Sequence, residues 1–502
     1  MSGVRIAYPC KLVLSHFRSP AWCLRMANVV VIGGGFCGVV TAVNLARLTD
    51  TPLAVTVVNA GHPLGRGVAY GTRRPEHLLN VVARNMSALA DQPDHFVEWL
   101  GTRSDFAEVP AADLREQFVP RRVYGDYLQA LFLWYSRAFA DGKKVHIEWR
   151  EAEALDVVPG VRQVTVNLSA GSDLAADKVV LATGNLPPAD PGGLALDHSR
   201  YFRNPWSGWE AQIGDPGQEV ALFGTGLTMV DAFLTLTALG WWGKIYALSR
   251  NGLLPLPHFK GPDYPAFPEG DPSGLRLDEV ETTLRVHCER LRNRRLNPAI
   301  LVDKLRPYTQ RLWQHFSVAE KLRFLKEFRT RWNVTRHRVP QAVHSKLTAA
   351  MEAGHLEVIK GEIISLSPCG DGLRLVSRTA SGERELKIGA VVNCTGPAEG
   401  FASAPLLYRN LLARGLVSAD EVGLGIRAMP DFAAIDAAGA RSRWLMVLGP
   451  PLKGTLWETT AVPELRAQAF RVAEVIIADM HARRAEVSLV EQTYADVLEY
   501  SI

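Results

Sequence analysis

The chain has 502 residues, of which 47% are hydrophobic and 22% charged, and its formal net charge is +4. This composition is typical of a soluble globular protein with about two to four domains, and the small net charge gives no support for nucleic-acid binding. Because no apolar run approaches the roughly 18–20 residues that a membrane-spanning helix needs, we expect no membrane association and a cytoplasmic location.

The six cysteines are scattered, and no two of them show the C-x-x-C spacing. We therefore predict neither a metal site nor a dithiol redox centre, and we expect reduced thiols. Residues 1–25 lack the continuous apolar core and the cleavage site of a signal peptide. The folded part is expected to begin near Met26, directly before the first strand.

The first predicted strand, 29–32, runs into a G-x-G-x-x-G turn that opens an amphipathic helix ending near residue 48, and a second strand follows at 54–58. In such a unit the glycines permit a tight turn, close approach of a pyrophosphate and helix–strand packing, while the helix N-terminus faces the anion. The pattern predicts a bound FAD. Its predicted contacts here are Gly33, Gly35, Phe36, Cys37 and Gly38.

Three further predicted cofactor contacts follow the second strand. Asn59 stands where an acidic residue usually holds a ribose hydroxyl, and an asparagine can still donate or accept a hydrogen bond there. Arg66 and Gly67 lie in the loop beyond it and are expected near the flavin phosphates or ring. For Arg66 the alternative is a loop arginine that caps a helix.

Two strands with small-residue turns predict the architecture. The segment KVVLATGNLPP (178–188) is of the kind that lies beside the first cofactor, so Thr183 and Gly184 are predicted contacts. Its near-twin AVVNCTGP (390–397) comes after a second glycine turn. We predict an α/β fold with two Rossmann-like dinucleotide-binding domains, the NAD(P)H domain inserted in the FAD domain, plus a helical insertion. The expected parts are 26–203 and 389–502 for the FAD domain, 204–260 and 336–388 for the NAD(P)H domain, and 261–335 for the helical insertion.

The second glycine turn lies in EVALFGTGLTMVDAFLTL (219–236), where Met229 replaces the third glycine. The next strand, KIYALSR, ends in Arg250, which is placed to meet a 2′-phosphate and favours NADPH over NADH. The alternative is that Arg250 is a solvated strand end. The predicted nicotinamide-cofactor contacts are Gly224, Gly226, Leu227, Thr228 and Arg250.

Several stretches resemble the YdhS-like FAD/NAD(P)-binding proteins, whose relatives include flavin N-monooxygenases that turn aspartate into nitrosuccinate. The matching stretches are GRGVAYGT (65–72), HLLNVVARNMSALADQPDHFVEWL (77–100), FVPRRVYGDYL (118–128), NPW (204–206), GTGLTMVD (224–231), SRNGLLP (249–255), RHR (336–338) and WETTAVPELR (457–466). The resemblance covers nearly the whole chain from Asn28 and implies a flavin-dependent oxidoreductase.

A wider likeness links LLNVVARNMSALADQP (78–93) to the flavin-containing monooxygenases. It implies that Asn80 is the catalytic residue at the flavin edge, where it shelters a C4a-(hydro)peroxyflavin, and that Met86 also belongs to the cofactor site. The fingerprint of those enzymes is kept only in part at 193–202, as His198, Ser199 and an aromatic residue.

A helix N-terminus is predicted to face the flavin near the end of the chain. GPPLKGTLWETTAVPELRAQAF (449–470) places a glycine turn before a helix that begins near Thr459 or Thr460. Such an N-terminus stabilises negative charge on the reduced ring, so Gly449, Thr459 and Thr460 are predicted contacts. The alternative is an ordinary capped C-terminal helix.

The middle of the chain predicts a loop at 262–275 and helices from about 277 to 331. Residues 285–338 carry fifteen Lys and Arg against four acids. This excess is interpreted either as a solvated helical face or as a patch that attracts an anionic substrate or NADPH. Arg336 and Arg338 are predicted to contact a carboxylate substrate, with a structural salt bridge as an equal alternative.

The leading functional prediction is an NADPH-dependent monooxygenase that hydroxylates an amine or amino-acid nitrogen, with dioxygen as co-substrate. The alternatives are an NAD(P)H-dependent flavin reductase or dehydrogenase without oxygenation, and a non-catalytic flavin-binding protein. The expected partners are a small-molecule substrate and no nucleic acid, and assembly as a homodimer is left open.

Overall fold

The computed structural model describes residues 26–137, 144–194, 196–401 and 404–499. The predictions for residues 1–25, including Cys10 and Cys23, lie outside the described residues. No helix in the described ranges is long and apolar enough to cross a membrane.

Strands and helices alternate along much of the chain. The strands are β1 (Ala27–Ile32), β2 (Leu53–Asn59), β3 (Val145–Glu151), β4 (Ala154–Pro159), β5 (Val164–Leu168), β6 (Leu174–Ala176), β7 (Lys178–Leu181), β8 (Tyr201–Phe202), β9 (Val220–Phe223), β10 (Ile245–Ser249), β11 (Leu356–Cys369), β12 (Gly372–Thr379), β13 (Gly382–Ile388), β14 (Ala390–Asn393), β15 (Ala433–Ile435) and β16 (Arg441–Val447). The helices are α1 (Phe36–Leu48), α2 (Gly67–Tyr70), α3 (His95–Gly101), α4 (Ala111–Glu116), α5 (Arg121–Arg137), α6 (Leu227–Ala238), α7 (Leu277–Asn293), α8 (Ile300–Leu305), α9 (Thr309–His315), α10 (Val318–Arg323), α11 (Arg329–Arg336), α12 (Gln341–Glu352), α13 (Leu406–Ala413), α14 (Lys453–Leu456) and α15 (Val462–Glu499).

The first sheet has the strand order β15-β16-β7-β1-β2-β3. All neighbours are parallel except β15, which pairs antiparallel with β16. The apolar run of β1 lies at the centre because both of its faces are covered: residues 29–32 are all buried. Helices α1, α5 and α15 contribute to the core on one face, while α13 and the small antiparallel sheet β4-β5-β6 cover the other.

The second sheet repeats this plan in the order β13-β12-β11-β10-β9-β14-β8. Its core from β11 to β8 is parallel, and β12 and β13 extend it antiparallel. Helices α6 and α12 cover one face. The structure confirms the predicted fold, an α/β protein with two parallel-core sheets. Strand β14 belongs to the second sheet, although the expected boundary at residue 389 assigned it to the FAD domain.

The helical insertion, α7 to α11, packs on the segment that precedes α15. The rings of Trp313 and Trp457 stack with centroids 5.1 Å apart, and the indole N–H of Trp313 donates to the carbonyl of Gly454 at 2.7 Å. The Nε and Nη2 of Arg306 both donate to the carboxylate of Glu464, near the start of α15. The insertion therefore covers the C-terminal part of the first domain.

Candidate functional site

The first glycine turn joins the carboxyl end of β1 to the start of α1. Gly33 has φ +111°, and a Cβ at this position would lie 2.3 Å from the carbonyl oxygen of Ala182 at the end of β7. A Cβ at Gly38 would lie 1.8 Å from the carbonyl oxygen of Gly33. Both positions therefore require glycine, one for the turn and one for the contact between helix and strand.

The start of α1 supplies the groups that could hold a pyrophosphate. Gly35 directly precedes α1, and a Cβ on it would approach Gly67 Cα to 3.7 Å, so the backbones of these two glycines lie close together. The first N–H groups of α1 have no partner within the helix and can bind an anion. Cys37 is buried, and burial raises the pKa of its thiol to about 12. Phe36 and Cys37 would thus contribute backbone N–H groups only, and this arrangement fits an FAD pyrophosphate.

Asn59 ends β2 and lies directly against the turn. A Cβ on Gly34 would approach Asn59 Oδ1 to 2.5 Å. The side-chain amide donates to the carbonyl of His62 at 2.7 Å, which leaves Oδ1 as an acceptor beside the turn. Its predicted contact with a ribose hydroxyl stays a prediction.

The turn after β7 lies next to the first glycine turn. Thr183 Oγ1 is hydrogen-bonded to the hydroxyl of Tyr408, a residue that is buried on α13. Gly184 has φ +73°, and a Cβ there would meet no atom within 4 Å. Since β7 neighbours β1, the two turns share the carboxyl edge at which α/β sheets bind ligands.

The C-terminal segment reaches the same edge through Gly449. A Cβ at Gly449 would lie 2.9 Å from Cys37 Sγ, so this glycine packs on α1. The hydroxyl of Thr459 donates to the carbonyl of Gly449 at 2.9 Å, and its side chain is fully buried. Thr460 is exposed, and α15 begins at Val462, slightly later than predicted. Thr459 therefore supports the turn from behind instead of facing the cofactor with its side chain.

Two predicted cofactor contacts are corrected by their surroundings. The guanidinium of Arg66 is engaged by helix α5, where it donates to the carbonyl of Arg122 at 3.0 Å and pairs with Asp126. It ties the loop to α5 as a structural arginine. The side chain of Met86 is 2% exposed and lies in the core beneath α1 and α5, too deep to reach a ligand.

Asn80 lies where the first domain, α6 and the start of the insertion meet. It is half-buried, and its carbonyl accepts a hydrogen bond from His258 Nε2 at 2.8 Å. Burial lowers the pKa of His258, which keeps its imidazole neutral. A narrow gap separates Asn80 from Leu227 and Val230 of α6. Asn80 therefore lies beside the first turns of α6, and its role at a flavin edge stays a prediction.

The second glycine turn repeats the geometry of the first. Gly224 has φ +99°, and a Cβ there would lie 2.5 Å from the carbonyl oxygen of Cys394 at the end of β14. Gly226 precedes α6 with ordinary backbone angles, and a Cβ on it would meet no atom within 4 Å. Met229, in place of a third glycine, is fully buried and packs in the core of this domain. A second open anion site thus lies at the N-terminus of α6, formed by Gly226, Leu227 and Thr228.

Arg250 follows β10 and is exposed. Among the ion pairs of the described residues none involves Arg250, so its charge is available at the edge where the adenosine half of a dinucleotide would lie. The 2′-phosphate contact stays a prediction.

The predicted substrate contact of Arg338 is wrong. Its guanidinium donates to Asp303 at 2.9 Å and to the carbonyl of Ala299 at 3.0 Å, and it stacks 4.5 Å above the ring of Phe259. The side chain is 6% exposed. Its Nε donates to the carbonyl of Thr335 at 2.9 Å, so each of its three nitrogens has a partner within the protein, and Arg338 has a structural role.

Arg336 is also enclosed. Its side chain is 9% exposed and lies 3.5 Å from Glu458 and 3.9 Å from Glu464. Burial lowers its pKa, opposed by the two carboxylates. The ion pairs of the salt-bridge alternative are therefore present, while Arg336 Nε and Nη2 have no hydrogen-bond partner among the described residues, and the substrate contact stays a prediction.

The sequence reasoning assigned no role to the polar contacts between the two domains. Arg121, at the start of α5, donates to Asp231 of α6 at 2.6 Å. His77 shares a hydrogen bond with Thr235 of α6 at 2.9 Å. One feature of the sequence could have predicted these contacts, namely the acidic residue Asp231 inside the apolar helix α6. A buried carboxylate needs a partner.

Residues 30–186 match a family model described as FAD-NAD(P)-binding. This match covers the first glycine turn, Asn59 and the turn after β7. No curated protein matches the chain by sequence.

Solved structures share the fold over nearly the whole chain. An ornithine N-hydroxylase from Kutzneria sp. 744 is 17% identical, with 91% of this chain and 100% of that chain covered and a TM-score of 0.62. The reduced ornithine hydroxylase from Pseudomonas aeruginosa is 16% identical, with 91% and 100% covered and a TM-score of 0.60. The L-lysine 6-monooxygenase from Pseudomonas syringae is 18% identical, with 90% and 99% covered and a TM-score of 0.60. At these identities the likeness establishes the fold alone.

Proposed function

We propose that this chain is an FAD- and NADPH-dependent monooxygenase that hydroxylates the nitrogen of an amine or amino acid. The observation that carries the proposal is the pair of glycine turns that follow β1 and β9, with Asn80 beside the helix that the second turn opens. The similar structures, named as ornithine and lysine hydroxylases, support the same class of reaction.

The bound cofactors would supply the redox chemistry: hydride from the nicotinamide and activation of dioxygen on the flavin. The chain binds and orients them. Gly33, Gly35 and the start of α1 would hold the FAD pyrophosphate, and Gly226 and the start of α6 would hold that of NADPH. Arg250 would select NADPH through its 2′-phosphate, since a guanidinium suits a phosphate.

Asn80 would donate a hydrogen bond at the flavin edge, in a region from which the protein excludes water. Its backbone carbonyl accepts a hydrogen bond from His258. A preorganised donor in a dry site stabilises a developing charge far more than one in water.

The reductase alternative is favoured by one observation. The segment at 193–202 keeps only part of the monooxygenase fingerprint, and His198 Nδ1 accepts a hydrogen bond from the local backbone N–H of Arg200 at 3.1 Å. That histidine is used to shape its own loop.

The test is a single-turnover reaction of the FAD-loaded protein, with NADPH added anaerobically and then air, in the presence of a panel of amines and amino acids. We expect one of them to yield a product 16 Da heavier by mass spectrometry, with little peroxide. Gly226→Ala is the matched control, because it should fold normally but bind NADPH poorly. If every amine gave one hydrogen peroxide from dioxygen for each NADPH oxidised, the reductase would be favoured. If no pyridine nucleotide reduced the flavin, a non-catalytic binding protein would be favoured.

A further inference from the structure

The two dinucleotide-binding domains touch along one face of α6. Thr228, Asp231 and Thr235 lie at helical spacing on this face, and the first domain meets it with His77 and Arg121. The N-terminus of α6 is also the predicted anion site for the nicotinamide cofactor. The contacts on this face therefore affect the orientation of that anion site relative to the first domain.

Arg121 joins three parts of the structure. It begins α5, its Nη1 donates to Asp231 Oδ2 at 2.6 Å, and its Nε donates to the carbonyl of Leu78 at 3.0 Å. The side chains of Arg121 and Asp231 are 13% and 7% exposed, so water competes little for this pair. Leu78 is two residues from Asn80. One guanidinium thus links the nicotinamide helix to the segment that carries Asn80.

His77 makes a second link to the same helix. Its Nε2 lies 3.1 Å from the carbonyl oxygen of Asp231 and 2.9 Å from Thr235 Oγ1, and its Nδ1 lies 2.8 Å from Thr72 Oγ1. In the neutral ring, Nε2–H would donate to the carbonyl and Nδ1 would accept from Thr72. Both ring nitrogens are therefore used at the interface.

The links have open space on one side. A cavity of about 270 Å³ lies there, lined by Thr228, Asp231 and Thr235 together with Arg74 and Trp206. On the other side the gap beside Asn80 is narrow, and Leu78 of the first domain packs against the core of the second domain. On the open side, the hydrogen bonds hold the two domains in alignment.

We propose that Arg121, Asp231 and His77 form an interdomain clamp that positions the N-terminus of α6 relative to Asn80. The inference rests on the proposed function, in which a nicotinamide held at α6 must reach a flavin ring held beside Asn80. The three are positioning residues: they join the two sides of the interface through hydrogen bonds, and they fix the distance over which hydride is transferred.

The test uses the FAD-loaded full chain and the variants Arg121→Gln and Asp231→Asn. Anaerobic stopped-flow mixing with NADPH gives the limiting rate of flavin reduction and the Kd separately. Because a misplacement of about 1 Å can cost on the order of 100-fold in rate, we expect the limiting rate to fall roughly 10- to 100-fold, with the Kd changed by less than about threefold. Arg121→Lys, which keeps the charge, should recover part of the rate.

A second measurement does not depend on turnover. Hydrogen–deuterium exchange at 78–81 and 227–236 should quicken in both variants, because breaking the clamp loosens both sides of the interface. The matched control is Arg441→Gln, which removes an ion pair with Asp431 inside the first sheet, also at 2.6 Å, and should change neither the exchange nor the rate.

The double variant should be no slower than the worse single variant, because both changes remove one contact. Three results would overturn the clamp: additive losses of rate in the double variant, an unchanged limiting rate of flavin reduction, or unchanged hydrogen–deuterium exchange in Asp231→Asn. Asp231→Asn is used because asparagine keeps the shape of the side chain, so the variant should fold. If no pyridine nucleotide reduces the wild-type flavin, the proposed function fails, whereas the exchange measurement still decides the clamp.

Discussion

The two glycines of the second turn should respond to alanine in opposite ways. At Gly224 the backbone has φ +99°, and a new Cβ would lie 2.5 Å from the carbonyl oxygen of Cys394. At Gly226 φ is −86°, and no atom lies within 4 Å of the new Cβ. Gly224→Ala therefore tests the turn, and Gly226→Ala tests the space that a pyrophosphate would occupy.

The structure gives the magnitudes. Gly224→Ala combines a left-handed backbone, which costs about 1–3 kcal/mol, with overlap against a backbone that must shift, which costs about 1–3 kcal/mol more. We expect a loss of about 2–6 kcal/mol in the free energy of unfolding of the second domain. Gly226→Ala should leave stability unchanged or raise it by about 0.4–1 kcal/mol. It should weaken NADP+ binding about 10- to 100-fold, because a displaced phosphate loses a hydrogen bond worth about 1.5–3 kcal/mol.

Urea unfolding and calorimetric titration with NADP+ measure the two effects, and retained FAD serves as the control for the first domain. Wild-type affinity for NADP+ in Gly226→Ala would show that no nucleotide approaches this turn. A Gly224→Ala protein as stable as wild type would refute the strain argument.

Four further predictions concern single measurements. Arg250→Ala should weaken binding of NADP+ more than that of NAD+, by roughly tenfold or more for a lost charge-assisted contact; equal losses in titrations would remove Arg250 from this role. Asn80→Ala should leave anaerobic flavin reduction intact but raise the peroxide-to-product ratio by on the order of tenfold, since a donor in a dry site is worth about 2–4 kcal/mol; an unchanged ratio would make Asn80 structural. Burial lowers the pKa of His77 below its usual 6.5, so the unfolded chain binds the proton more tightly than the folded chain does. The contribution of His77 to stability should therefore be present above pH 6.5 and be lost as the pH falls. His77→Gln should make the melting temperature depend less on pH, and an unchanged dependence would contradict this. Heat should release FAD, because Gly35 and Gly67 leave room for a pyrophosphate; FMN in the chromatogram would exclude that site.

The sequence predicted local units well, because the rules for these units are local. The residues that specify a glycine turn between an apolar strand and a helix lie within about a dozen positions of one another. Both turns, at Gly33 and at Gly224, form as predicted. The repeated strand-and-turn at 178–188 and 390–397 gave the two-domain plan. The start of α15 was predicted slightly early because its cap depends on the contact between Thr459 and Gly449, ten residues apart.

The long side chains were harder to predict, because their partners are distant in sequence. Arg336 and Arg338 have the residue type that binds a carboxylate, but the partners of Arg338 are Asp303 on α8 and Phe259 in the loop before the insertion. Arg66 reaches α5 instead of a cofactor. A guanidinium binds whichever acceptor the fold places near it, and the sequence does not state that distance.

The sequence by itself determined the two dinucleotide turns and the apolar strands beside them, since glycine spacing and hydrophobic runs specify backbone geometry directly. Only the tertiary structure decided which charges are buried together and how the two turns face each other. The pair between Arg121 and Asp231 spans 110 positions in the chain, and it forms because α5 and α6 meet when two separately specified domains pack. That packing depends on the surfaces of both domains at once, so no single stretch of sequence contains it.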